Sequence, residues 1–297
     1  MNYISNLPNR IDSFFFVPTS CDEIKEVINS MKDKGNALFD IKPNIIKLIC
    51  DYIAPYLCRF YNDFMCNGLY PDVLKTARVT SIFKSGNSTL VSNYRPISNS
   101  PTINKVFELL THSRISSYIE HQKLISINQF GFKKNISTTC AIFSFVYDVL
   151  ETFNKKFFTV ALFLDLRKAF DSVNVDLLCL KLNMYGFRGF SIEFLRSYLN
   201  NRKQFVYVNG KSSRVDSINI GVPQRSVLGP KLFNVFINDL LSIDPGKSIF
   251  FADDGVFYVT DPDFETCIFK VNTLISRISE WLELNKLLVS LTLTKLK

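Results

Sequence analysis

Histidine is nearly missing from this chain of 297 residues: only His112 and His121 occur. A zinc site built on imidazole or a serine–histidine triad is hard to assemble from two. Cysteine is present seven times, at Cys21, Cys50, Cys58, Cys66, Cys140, Cys179 and Cys267, but never as Cys-x-x-Cys. The odd number and mostly apolar neighbours predict small buried hydrophobes rather than a disulfide frame or a metal knuckle. Long apolar runs are also lacking. The longest, such as Phe157 to Leu164, fall far short of the roughly 20 residues that a membrane span needs. Met1 is followed by Asn-Tyr-Ile-Ser-Asn, with no basic, apolar, cleavable leader. No internal repeat or low-complexity tract interrupts the chain. These absences predict a soluble, intracellular protein with no membrane, zinc or haem, and any metal should be a hard, oxygen-loving ion.

Aromatic residues and positive charge are plentiful. With 28 Phe and 12 Tyr, and 47% hydrophobic residues, the chain has ample material for a core. Its net charge of +8 suggests a polyanionic partner. Ser20-Cys21-Asp22-Glu23 has capping-box spacing, with Ile24, Val27, Ile28 and Met31 on one helical face and Gly35 closing the helix. Ile45 to Met65 and Ile103 to Ile119 are helical in pattern. Thr138 to Phe153 is helical too, and apolar on several faces, which predicts burial. Val175 to Tyr185, Ile192 to Leu199, Leu232 to Leu241 and about Phe264 to Leu284 complete the helices. Arg78 to Phe83 reads as a strand, and Gln204 to Val208 reads as a strand turning at Asn209-Gly210 toward Val215 to Ile220.

Chemistry concentrates in three places. Phe157 to Leu166 is a continuous apolar run ending in Asp165, the pattern of a central strand with a partly buried acid at its carboxyl end. Ser248 to Val259 reads SIFFADDGVFYV, a hairpin with Asp253 and Asp254 at its tip, where Asp-Asp-Gly supplies turn chemistry. Lys84 and Arg95 bracket a polar, glycine-containing loop that could hold a triphosphate, with lysine as a point charge and arginine as a bidentate fork. Solvated loop charges remain the plainer alternative for these two, and an Asp-rich turn the plainer alternative for the acidic pair.

Taken in order, LFLDLRKAFDSVN, GVPQRSVLGPKLFNVFINDL and FFADD closely resemble the polymerase motifs of reverse transcriptases of the non-LTR (LINE-type) retrotransposons. ARVTSIFKSG, NYRPIS, QFGFKKNIST, NRKQFVYVNG and SEWLELNKL extend the resemblance over most of the chain. It implies an α+β, right-hand polymerase fold, with an antiparallel palm sheet on helices and no thumb within this chain. The implied division is a helical extension at 1–70, fingers at 71–150 and a palm at 151–297. It also implies nucleotidyl transfer from a deoxynucleoside triphosphate to a DNA primer 3′-hydroxyl on an RNA template, and a nuclear site of action. Two Mg²⁺ ions, or Mn²⁺ in their place, would be held by Asp165, Asp253, Asp254 and the Leu166 backbone, with the backbone around Leu166 and Arg167 facing the triphosphate. Phe170 would exclude a ribose 2′-hydroxyl, though a core phenylalanine is the plainer reading. Lys84, Arg95, Gln224 and Arg225 would line the nucleotide. Three carboxylates at one point need such cations, because two like charges about 4 Å apart repel by roughly 4 kcal/mol at an effective dielectric near 20.

The chain departs from the family pattern in places. Arg225 replaces the Gly after Pro-Gln, where a long side chain could obstruct the pocket. Asn135 and Ile136 stand where Gly and Arg are usual. Ser290 and Leu293 stand where the family has Asn and Lys, which removes the expected proton donor to pyrophosphate. No room for a thumb follows Lys297, and no endonuclease precedes. These departures raise a second expectation, a catalytically inactive relic that at most binds nucleic acid.

Overall fold

The computed structural model describes residues 12–32, 41–208, 210–243 and 246–296. Its elements in chain order begin with α1 (Cys21–Ser30), α2 (Pro43–Leu48), α3 (Cys50–Cys66), β1 (Thr76–Phe83), β2 (Tyr94–Asn99), α4 (Thr102–His121) and α5 (Thr138–Asn154). Then come β3 (Phe158–Leu166), α6 (Val175–Met184), α7 (Phe190–Leu199), β4 (Arg202–Val208), β5 (Lys211–Ser212) and β6 (Asp216–Ile218). The chain continues through α8 (Gly229–Ile237), β7 (Lys247–Phe251), β8 (Asp254–Asp261), α9 (Phe264–Asn285) and β9 (Val289–Leu296). The chain is thus a mixture of helices and sheets. Its described residues divide into two compact units, each discontinuous in sequence: those within 12–118 and 182–229, and those within 119–181 and 230–296.

In the first of these units, β1 pairs antiparallel with β2 and parallel with β4, which carries β5 and β6 on it. The sheet begins as expected from RVTSIF. The partner strand at Tyr94–Asn99 was not expected, and Arg95, expected to bracket the polar loop, lies within it. The chain turns back after β4 as expected, with Val208 opposite Lys211; Asn209 lies outside the described residues. Ser20 caps α1 by accepting the Glu23 N–H at 3.2 Å. Glu23 does not return the bond as a capping box would. Its carboxylate instead accepts from the two terminal guanidinium nitrogens of Arg114, at 2.6 and 2.8 Å, and from the Thr19 hydroxyl at 2.5 Å. The helix ends with Met31 as C-cap, and Gly35, the expected terminator, lies outside the described residues.

The second unit is built on an antiparallel sheet of order β7-β8-β3-β9. One face, through Ala161, Ile249, Val256 and Tyr258, packs with Ala141 and Phe145 of α5. Val160, Leu162, Phe257 and Val259 alternate to the other face and are buried too. The helix α9 packs on β3 and β8, burying Val271, Leu274, Ile278 and Trp281. Central placement of β3 follows from its apolar run, as expected. The last strand, β9, was not expected, although Val289 to Leu296 alternates apolar and polar residues.

Two expectations of burial fail. The α5 helix is covered only along the Ala141–Thr152 line, and Ile142, Phe143, Tyr147, Leu150 and Phe153 are exposed. Apolarity on several faces does not show how many of them the described chain covers. Of the cysteines, Cys50, Cys179 and Cys267 are buried, Cys21 and Cys58 half-buried, and Cys66 and Cys140 exposed, all with free thiols.

Candidate active site

The carboxylates are placed by strand register. Asp165, near the end of β3, sits directly opposite Asp254, the first residue of β8. Opposite residues of an antiparallel pair project to one face, so these two acids share it. That face is the one α5 covers further along the sheet. Cover has ended at this point, and both acids are exposed. The expectation of a partly buried Asp165 is therefore corrected. No ion pair of Asp165 with Arg167 or Lys168 is recorded among the described residues.

Asp253 is half-buried in the turn itself. Phe251 pairs with Asp254, so the two-residue loop is Ala252-Asp253 rather than Asp-Asp-Gly. Ala252 carries the positive φ, +61°, that the first loop residue of such a hairpin requires. Gly255 belongs to the strand. A Cβ there would meet the ring of Phe250, its cross-strand partner, at 2.3 Å. Burial first, then the charges of Asp254 and Asp165, push the Asp253 carboxyl above its usual range. Asp253 thus feels the charges of the other two acids.

Three oxygen donors of this kind suit a hard divalent cation. Among the described residues, no three His, Cys, Asp or Glu are gathered closely enough to form a cage by themselves. The expected three-carboxylate cluster is thus present only as the Asp165–Asp254 pair with Asp253 in the adjoining turn; a hard divalent cation, which can be held by one or two carboxylates with waters and substrate phosphates, would need no more than that. The donor set therefore fits. Leu166 pairs with Val289 of β9, and the Arg167 N–H donates to the Leu288 carbonyl at 3.0 Å, so that amide is already taken. Phe170 is half-buried in a 3-10 turn, Ala169–Ser172, its ring stacked on Phe233 at 4.5 Å and edge-on to Phe132 at 6.2 Å.

The remaining expected residues belong to the other unit. Lys84 is exposed just past β1, its N–H donating to the Asn93 carbonyl at 2.8 Å, and Arg95 pairs with Ile82 in the β1–β2 ladder. Gln224 is half-buried and Arg225 exposed in the turn from Pro223 to Ser226, closed by Ser226 N–H on Pro223 O at 3.2 Å. Arg225 holds φ +63° at the third turn position, where a type II turn calls for glycine. Steric form of the backbone, not only approach of a ligand, thus accounts for the glycine that the family pattern has there.

Two buried polar residues were missed in the sequence. Glu108 of α4 accepts from Asn104 Nδ2 at 2.8 Å, Tyr198 OH at 2.7 Å and the Val227 N–H at 2.8 Å, tying down the segment after Arg225. Gln129 accepts the Ala252 N–H at 3.0 Å and donates to its carbonyl at 3.2 Å. An acid inside the apolar run Val106 to Leu110 was a readable signal. Nothing in Gln129 alone announced its role.

The sequence profile described as "Reverse transcriptase (RNA-dependent DNA polymerase)" matches residues 82–296. The chain belongs to that family. Among its relatives, an "RNA-directed DNA polymerase from mobile element jockey" of Drosophila funebris is 33% identical over 226 residues, covering 75% of this chain and 24% of the relative. A "Probable RNA-directed DNA polymerase from transposon X-element" of Drosophila melanogaster is 34% identical over 245 residues, 78% of this chain and 26% of the relative. A "Retrovirus-related Pol polyprotein from type-1 retrotransposable element R1" of Bradysia coprophila is 26% identical over 249 residues, 80% of this chain and 24% of the relative. The chain spans about a quarter of the length of these mobile-element relatives, which agree with the non-LTR type that its motifs resemble. No helix among the described residues is long and apolar enough to cross a membrane.

Proposed function

We propose that the chain is the polymerising part of a retrotransposon reverse transcriptase, extending a DNA primer on an RNA template with deoxynucleoside triphosphates. One observation carries the reading. Asp165 and Asp254 are cross-strand partners, with Asp253 in the adjoining turn. Relatives named as RNA-directed DNA polymerases support it. Asp165 and Asp253 would hold Mg²⁺, or Mn²⁺ in its place, with Asp254 as the weaker ligand. When bound, a pair of such ions neutralises the carboxylates and stabilises charge on the attacking and leaving oxygens.

The other roles belong to this chain's residues. Phe170, its ring fixed against Phe233, excludes a ribose 2′-hydroxyl. Lys84 and Arg95 bind the triphosphate, and Gln224 and Arg225 border the incoming nucleotide. Functional labels of right-hand type, with a helical extension at 1–70, fingers at 71–150 and a palm at 151–297, belong to this proposal and cut across the two compact units. The site of action would be the nucleus. Primer extension on an RNA template with Mg²⁺ tests the reading, with Asp253→Ala as control. Equal extension by the two proteins removes it.

A second reading is favoured by Arg225, which holds a left-handed conformation where the family pattern has glycine. On that reading the chain binds nucleic acid without polymerising. Filter binding that persists without Mg²⁺ and falls steeply with salt, alongside no extension, supports it. Revival of extension by Arg225→Gly would instead mark a single repairable lesion.

A further inference from the structure

The turn that carries Asp253 does not stand alone. Its first residue, Ala252, has φ +61°, a conformation that side-chain-bearing residues rarely adopt. Both hydrogen-bonding groups of that residue are held by one side chain. Gln129 Oε1 accepts the Ala252 N–H at 3.0 Å, and Gln129 Nε2 donates to the Ala252 carbonyl at 3.2 Å. Only 1% of Gln129 is exposed, so water does not compete for either bond.

Gln129 is fixed in its turn. Its oxygen also accepts the Gly131 N–H at 2.8 Å. The Phe130 N–H donates to the Phe250 carbonyl at 2.7 Å, and the Phe250 N–H to the Asn128 carbonyl at 2.9 Å, so residues 128–130 run as a short parallel rail along β7. Gly131 lets the rail approach, since a Cβ there would lie 2.2 Å from the Ala252 nitrogen. From α8, buried Asn234 donates to the Gly131 carbonyl at 3.0 Å.

We propose that Gln129 is a positioning residue: it holds the Ala252-Asp253 turn in its strained form and so sets how tightly the Asp165, Asp253 and Asp254 carboxylates bind a divalent cation. The inference rests on the reading of those acids as metal ligands. Gln129 touches neither cation nor nucleotide and acts through the Ala252 backbone alone. Outer partners of this kind typically change metal affinity or activity about 10- to 100-fold.

Titration of the whole chain with Mn²⁺ alone, with free ion followed by electron paramagnetic resonance, separates the possibilities. In the parent, Mn²⁺ binding should be lost in Asp253→Ala; binding that ignores this substitution removes the metal-site reading, and the proposal with it. Gln129→Met keeps length and volume but neither bond, and should weaken Mn²⁺ about tenfold or more while thermal unfolding stays cooperative. Adding Ala252→Gly, which makes the positive φ easy without a clamp, should restore most of the affinity. Primer extension should follow, with kcat lowered in Gln129→Met and the KM for deoxynucleoside triphosphate little changed. Parental affinity in Gln129→Met, or a loss that Ala252→Gly does not recover, overturns the proposal. Gly131→Ala supplies an independent displacement of the same turn. It should weaken Mn²⁺ in the same way, and parental affinity in that variant also overturns the proposal.

Discussion

Among the turns that put a non-glycine residue at positive φ near residues assigned to chemistry, those at Ala252 and Arg225 are held differently. At Ala252 the strained residue itself is gripped, both its N–H and its carbonyl bonded to Gln129. At Arg225 the supports fall on either side. Ser226 closes back on Pro223 through its N–H and through its hydroxyl at 2.8 Å, and Glu108 takes the Val227 N–H. Arg225 itself is exposed. A clamp on the strained residue lets a small side chain stand where glycine would be easier. Without one, the backbone strain of a long side chain must be met by the neighbours. The first turn is therefore built for its sequence, and the second is built for a glycine it does not have.

Removing the charge that the first turn presents gives the largest effect. Asp253→Asn should lower primer extension about a thousandfold, since metal-borne charge stabilisation is worth several kcal/mol. It should not lower stability without metal. Burial and the charges of Asp254 and Asp165 hold the Asp253 carboxyl above its usual range, so the folded chain keeps this proton to higher pH than the unfolded one. Its contribution to stability then falls as pH rises from the ordinary carboxylate range through the raised folded value. Denaturation midpoints at pH 4 to 7 should show that decline in the parent and less of it in Asp253→Asn. A variant that is destabilised at neutral pH in chelator contradicts the assignment.

Breaking the second turn's support comes next. Glu108→Leu leaves the Asn104 amide, the Tyr198 hydroxyl and the Val227 N–H without their acceptor in the interior. At about 1 to 3 kcal/mol for each orphaned donor, the loss should be about 3 kcal/mol or more in urea unfolding. Glu108→Gln keeps one accepting oxygen and should recover a good part. A loss below about 1 kcal/mol for Glu108→Leu would mean that the turn does not depend on this acid.

What the sequence made legible follows from periodicity and register. The hairpin at 247–261 and the strand at 158–166 were readable because apolar runs and acids coincide, and pairing of the two placed Asp165 opposite Asp254. The loop was misassigned by one residue, since Asp-Asp-Gly is good turn chemistry and Ala252 is poor. Only the packing of Phe250 on Gly255 shows why that glycine is in a strand. β9 was less legible: Val289 to Leu296 alternates, but it lies at the sheet edge and pairs only with β3, more than 120 residues earlier in the chain. Glu108 and Gln129 act through tertiary hydrogen bonds across 119 and 123 residues of sequence, which no local pattern encodes.

Relieving the strain of the second turn should give a modest gain. A left-handed conformation costs a side-chain-bearing residue about 1 to 2 kcal/mol, while glycine gives back about 0.5 to 1 kcal/mol through its freer unfolded chain. Arg225→Gly should therefore stabilise by about 0.5 to 1 kcal/mol, read as a shift of the urea midpoint with an unchanged slope. Any loss of stability would mean that the guanidinium makes contacts worth more than the backbone strain.

The smallest effect sharpens the same comparison. Asn135, like Arg225, stands where the family pattern has glycine, and its φ is +61°. Both are exposed, so packing does not distinguish them. Their side chains do. Asparagine can bond its own neighbouring backbone and tolerates the left-handed region, whereas arginine has no such local compensation. For Asn135→Gly the relieved strain and the added unfolded-state freedom should nearly cancel, leaving a change within about 0.5 kcal/mol of zero. Measured beside Arg225→Gly in one urea series, this small value isolates the contribution of the side chain from that of the backbone angle. If Asn135→Gly stabilises as much as Arg225→Gly, positive φ alone sets the cost, and the account of the second turn as lacking its glycine applies equally to the loop at 135.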